Sequence, residues 1–165
     1  MTNNDILRRL RYALEFKDVT VAKCFRNCGA KTNLDEVGNW LRREDHPSFA
    51  ALSDVMLCRF LDGLVIEKRG HRPDGGIPEP RAFLSNNEIL KKLRIALGLR
   101  DEEMIAVFKR EEFVVTKAEL GSFFRREGQR NYAKCPEQVL RKFLQGLGKK
   151  EDSMSTKKID DDRRN

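Results

Sequence analysis

The sequence predicts an all-α protein built from two tandem copies of one four-helix unit. Three observations point to this: an internal repeat at a shift of 83 in the numbering, apolar residues at helical spacing behind N-capping residues in both copies, and a near absence of strand signals. NNDILRRLR at 3–11 falls on NNEILKKLR at 86–94, GNWLRRE at 38–44 on GSFFRRE at 121–127, and FLDGL at 60–64 on FLQGL at 143–147, with no insertion between positions 2 and 64. About a third of those positions hold the same residue in both copies, where chance gives roughly one in twenty, so the chain arose by duplication.

Each copy divides into four helices. The first opens on a capping box, Thr2 to Asp5 or Ser85 to Glu88, and its stripe of Ile6, Leu7, Leu10, Ala13 and Leu14 has helical spacing. The second is expected to start with Asp18 or Asp101 as N-cap, followed by Val21, Ala22 and Phe25, or Met104, Ile105 and Phe108. The third follows Asn33 or Thr116, each with a Glu three positions on. The fourth runs from about Ser53 or Pro136, with Pro136 suited to a first helical turn and Gly63 and Gly146 to the position just past the end. Phe113-Val114-Val115 is too short to count as a strand. The domain boundaries follow: 1–66, a Gly- and Pro-rich linker at 67–84, 85–148, and a charged tail at 149–165 expected to be disordered. Leu10, Leu14, Phe25, Phe60 and Leu64, with Leu93, Leu97, Phe108, Phe143 and Leu147, are the expected core.

The duplicated pattern, with WLRRED at 40–45, FLDGLVIEKRG at 60–70 and CPEQVLRKFLQGL at 135–147, resembles the bacterial YehS-like family over residues 1 to about 148. That resemblance implies a cytoplasmic protein of two small repeated domains. It implies no activity, so no catalytic residue is carried over.

Composition narrows the function classes. No apolar run is long enough for a membrane span, and the opening residues lack the apolar stretch of a signal peptide, so a cytoplasmic protein with reduced cysteines is expected. The net charge of +7 is spread over both copies rather than gathered in an arm, which permits nucleic-acid contact without demanding it. Acids that recur across the shift stand mostly at helix starts, where caps and the macrodipole explain them. The recurring bases need another reason. Arg8, Arg11, Arg42 and Arg43, with Lys91, Arg94, Arg125 and Arg126, form the candidate anion- or nucleic-acid-binding set, because Arg suits bidentate recognition of phosphate. The bland reading is that Arg42 and Arg43 serve the third helix's C-terminus, that Arg11 covers core with its stem, and that Glu44 pairs with a neighbouring arginine. Phe49 and Tyr132, in the loop before each fourth helix, are the candidate stacking aromatics.

The cysteines do not suggest a metal site, since Cys24 and Cys28 have only His46 and His71 to complete a set of ligands. Cys24 aligns with an apolar residue and reads as core, whereas Cys28 and Cys58 align with Glu111 and Arg141 and are expected to be exposed. Cys135, ahead of a helix start, is a candidate reactive thiol with no His in its copy to act as base. Enzyme signatures are missing, and Asp45-His46 becomes Gly128-Gln129 in the second copy. The expectation is a non-enzymatic binding protein without cofactor or membrane contact that contacts double-stranded DNA or structured RNA. The rival is a protein-interaction or regulatory adaptor. A small-molecule sensor with a pocket between the copies is a third reading.

Overall fold

The structure, a computed structural model, describes residues 1–149. These form eight helices and no strand: α1 Asn3–Ala13, α2 Asp18–Asn27, α3 Leu34–Leu41 and α4 Asp54–Arg69 in the first copy, then α5 Asn86–Leu97, α6 Asp101–Lys109, α7 Lys117–Phe124 and α8 Glu137–Gly148 in the second. The all-α tandem architecture is thus as the repeat predicts. Residues 150–165, most of the expected disordered tail, lie outside the described residues, and Lys149 belongs to the folded part as the C-cap of α8.

Local chemistry starts most helices where the sequence says. The Thr2 hydroxyl accepts from the Asp5 amide while the Asp5 carboxylate accepts from the Thr2 amide. Ser85, Asn33, Thr116 and Ser53 cap α5, α3, α7 and α4, each through a side-chain oxygen that accepts from the amide three positions on. Two cap expectations are corrected. Lys17 and Arg100, not the aspartates, are the N-caps of α2 and α6, and Asp18 and Asp101 are the first helical residues. There the carboxylates face the macrodipole and pair with Arg11 and Arg94 of the preceding helix, at 2.9 and 2.8 Å. Pro136 is likewise the N-cap of α8 rather than a first-turn residue.

The repeat glycines are the larger correction. Gly63 and Gly146 lie buried inside α4 and α8, not past their ends. A Cβ on Gly63 would sit 1.6 Å from the carbonyl oxygen of Cys24, and one on Gly146 would sit 2.2 Å from that of Val107. Each glycine is the point where the fourth helix of a copy crosses the second, backbone against backbone. The first copy's α4 therefore continues to Arg69, into the stretch expected as linker, and ends at Gly70, whose φ of +87° suits glycine.

Around these crossings the core is duplicated as well. Phe25 packs on Phe60 and Phe108 on Phe143, both with ring centroids 5.4 Å apart. These four phenylalanines, Leu10, Leu64 and Leu93 are fully buried, whereas Leu14, Leu97 and Leu147 are only half-buried near the helix ends. The two copies then pack through a pseudo-two-fold seam in which α4 lies on α5 and α1 on α8. Equivalent contacts close both ends of the seam. The Leu84 amide donates to Asp54, and the amino group of Met1, the repeat equivalent of Leu84, pairs with Glu137, the repeat equivalent of Asp54. In the middle Lys92 pairs with buried Asp62, whereas the equivalent pair of positions holds Arg9 and Gln145.

Cys28 and Cys58 are buried, against expectation. Cys28 is the C-cap of α2, and its carbonyl accepts from Arg59 of α4, while Cys58 lies on the buried face of α4, its thiol toward Asp62. Alignment with Glu111 misleads because Glu111 is itself largely buried, paired with Lys142, the repeat equivalent of Arg59; at Cys58 the neighbour Asp62 is replaced by Gln145 in the second copy. Among the described residues no His, Cys, Asp and Glu cluster could hold a metal ion, and no helix is long and apolar enough to cross a membrane.

Candidate functional site

The loop that carries Arg-Arg-Glu is fixed by a residue that neither charge nor apolar spacing singles out. Asn4, buried in the first turn of α1, donates to the carbonyls of Trp40 and Ala50 and accepts from the Leu52 amide. Asn87 of α5 does the same with Phe123, Ala133 and Cys135. Every partner is the repeat equivalent of its counterpart. One asparagine thus ties both ends of the α3–α4 or α7–α8 connection to the first helix of its copy, leaving Arg42–Ser48 and Arg125–Asn131 as an exposed projection between two pinned points. Within the projection the same turn recurs, with the His46 amide donating to the Arg43 carbonyl and the Gln129 amide to that of Arg126.

In the second copy this projection and α5 enclose a groove of about 440 Å³. Lys91, Arg125, Arg126 and Tyr132 all line it, together with Arg81 from the linker and the carboxylates of Glu88 and Glu127. Four of the ten expected site residues therefore share one surface. Arg125, Arg126 and Lys91 are exposed and make no ion pair among the described residues. Glu88 does not close its capping box; it turns one oxygen to Arg81, at 2.6 Å, and leaves the other buried without a hydrogen-bond partner.

The first copy treats the equivalent space differently. Arg8 stretches from α1 across to the loop, donating from one Nη to the Arg42 carbonyl at 2.6 Å and pairing through the other with Asp5. Arg42 itself is held by Asn39 and by the ring of His46. Arg43 stands exposed on the loop, and Phe49 is half-buried near its end.

A family model for proteins of unknown function, DUF1456, matches this chain twice, over residues 3–70 and 86–152. The chain belongs to the DUF1456 family. Its two matches coincide with the two copies, as the sequence resemblance implies. An Escherichia coli (strain K12) protein bearing the name Uncharacterized protein YehS is 35% identical over 147 residues, covering 89% of this chain and 94% of that protein. No solved structure matches.

Within this DUF1456 chain several expected site residues do not join the groove. Arg11 is committed to Asp18, and Arg94 to Asp101, to the Leu99 carbonyl and to the face of Phe124, 4.7 Å away. Their recurrence is structural: each guanidinium fastens the first helix of its copy to the start of the second. The expected pairing of Glu44 with an arginine is absent among the described residues, as it is for Glu127; Arg42 uses Asn39 and His46 instead. Cys135 is no reactive thiol. It is buried in the core, and burial pushes its thiol up to about 12, far from the thiolate that nucleophilic chemistry needs. The signal that points to the missed clamp is the recurrence of Asn-Asn at the first turn, since an exposed helix start needs no identical amide in both copies.

Proposed function

We propose that this protein is a non-enzymatic, cytoplasmic nucleic-acid-binding protein, and that the groove of its second copy is the contact surface. The supporting observation is the convergence of Lys91, Arg125 and Arg126, none of them spent on an ion pair among the described residues, around a half-buried Tyr132. Cations that a fold leaves unpaired at a rigid concavity suit phosphate oxygens, and an aromatic among them suits base stacking. The loop is held at both ends by Asn87, so little order is lost on binding.

The test is anisotropy titration of a labelled RNA stem–loop and a labelled DNA duplex across a salt series. Binding at low salt that falls as a power of salt concentration supports the reading, with the slope reduced by about 1 for each phosphate-contacting cation neutralised. A second reading, a protein-interaction adaptor, draws on the exposed Tyr12, Phe83 and Val114, each about three-quarters accessible. Absence of nucleic-acid binding at low salt ends the first reading and favours the second.

A further inference from the structure

The first copy contains its own ligand analogue. The Arg8 guanidinium is a planar group whose two Nη atoms donate side by side, one to the loop carbonyl of Arg42 and one to the acid at the third position of the helix, Asp5. In the second copy both acceptors persist. The Arg125 carbonyl accepts from no described residue, and Glu88 has a buried carboxylate oxygen without a partner. What is missing is the bridge between them, because position 91 holds Lys, whose side chain makes none. Arg81 from the linker meets only the other Glu88 oxygen, so the Arg125 carbonyl and the second Glu88 oxygen remain as two acceptors that a planar group with two adjacent N–H donors would satisfy.

Resting on the nucleic-acid reading above, we infer that the second-copy groove binds an unpaired guanine base of single-stranded or looped nucleic acid. Among the bases guanine alone carries a ring N–H beside an exocyclic amino group, the same paired-donor edge that Arg8 presents. Adenine and cytosine offer the amino group next to a ring acceptor, and uracil and thymine have no amino group. Sequence-specific recognition of RNA commonly reads splayed-out bases by such edge contacts combined with aromatic stacking. Tyr132 provides the stacking face, Glu88 and the Arg125 carbonyl accept from the edge, and Lys91, Arg125 and Arg126 hold the flanking phosphates. Arg81, which is two-thirds exposed and held only through the other Glu88 oxygen, is the side chain that yields to admit the base.

The experiment uses the full chain and short single-stranded RNA oligonucleotides that differ at one central base: guanine, inosine, adenine or uracil. A paired-donor contact distinguishes guanine from adenine or uracil by roughly tenfold to a hundredfold, with inosine, which lacks the amino group, in between. Glu88→Ala is expected to erase that preference, and Arg125→Gln/Arg126→Gln to weaken all four alike. Equal affinity for the four oligonucleotides overturns this inference and leaves the binding reading standing. Failure of all four to bind at low salt also overturns this inference, and failure of the RNA stem–loop and the DNA duplex as well overturns the binding reading with it. The base series varies the probe alone, so its outcome does not depend on any variant folding.

Discussion

Replacing Gly63 by Ala probes the packing that holds each copy together. The new methyl would lie 1.6 Å from the Cys24 carbonyl oxygen, whereas methyl contacts in proteins stay beyond 3.0 Å, so α2 and α4 must separate by well over an ångström. At Gly146 the starting distance is 2.2 Å, and the required retreat is correspondingly smaller. In each case the clashing atom is backbone, so no rotamer change relieves it. Overpacking of a tight core costs about 1–3 kcal/mol and occasionally more, while Ala in a helix interior gains ~1 kcal/mol over Gly. The net loss is about 2 kcal/mol or more for Gly63→Ala and about 1 kcal/mol for Gly146→Ala. For a chain of this length that lowers the melting temperature by roughly 2–4 °C per kcal/mol, more in the first variant than the second. Thermal unfolding followed by circular dichroism measures it. A melting temperature unchanged or raised in both variants would refute the close crossing and restore these glycines to helix ends.

Asn87→Ala strands two carbonyls and the Cys135 amide, so it should cost several kcal/mol, at about 1–3 kcal/mol per unsatisfied group, and should loosen the α7–α8 loop as read by amide exchange. Removing one partner of the Asp62–Lys92 seam pair, as in Asp62→Ala, should destabilise more than the paired replacement Asp62→Leu/Lys92→Met, measured as a double-mutant cycle in urea. Burial pushes the thiols of Cys24 and Cys135 up to about 12 and that of Cys28 to about 11, so iodoacetamide at mildly alkaline pH should leave the native protein unmodified and label all four cysteines in urea. The same shifts set a pH dependence. Unfolded thiols ionise from about 9 while the buried ones stay protonated, so the unfolded state binds fewer protons there and stability should fall as the pH rises above 9 toward 11.

The parts of this molecule that are legible in its sequence are those that both copies solve the same way. The capping residues of α1, α3, α4, α5 and α7, the apolar stripe of α1 and the Phe25/Phe60 and Phe108/Phe143 pairs are local or duplicated, so spacing alone locates them. Gly63 and Gly146 show the limit: a glycine inside a helix and one at its end look alike until the partner helix is known, and only the nearness of the Cys24 and Val107 carbonyls separates the cases. Cys28 escapes sequence comparison because a charged residue at the matching position, Glu111, is itself largely buried by its ion pairs, and Cys58 because its neighbour Asp62 has no charged equivalent in the second copy. At the site, recurrence identifies Arg42, Arg43, Arg125 and Arg126 as a unit. It cannot tell Arg8, which bridges within its own copy, from Lys91, which does not. Nor can it tell that Arg11 and Arg94 are fasteners, since their partners Asp18 and Asp101 have the residue type and position of ordinary caps.

Whether the second-copy groove is the nucleic-acid contact surface is tested most directly by two variants measured side by side. Arg125→Gln/Arg126→Gln and Arg42→Gln/Arg43→Gln remove the same charge from equivalent loops. Their binding to one labelled RNA stem–loop is measured across a salt series. Arg42 is already hydrogen-bonded to Asn39 and His46, and Arg8 bridges the first-copy space, whereas the side chains of Arg125 and Arg126 make no hydrogen bond or ion pair among the described residues. The second-copy variant is expected to lower the salt slope by about 2 and the first-copy variant by about 1 or less. Equal reductions, or a larger reduction from the first-copy variant, would contradict a contact surface in the second copy.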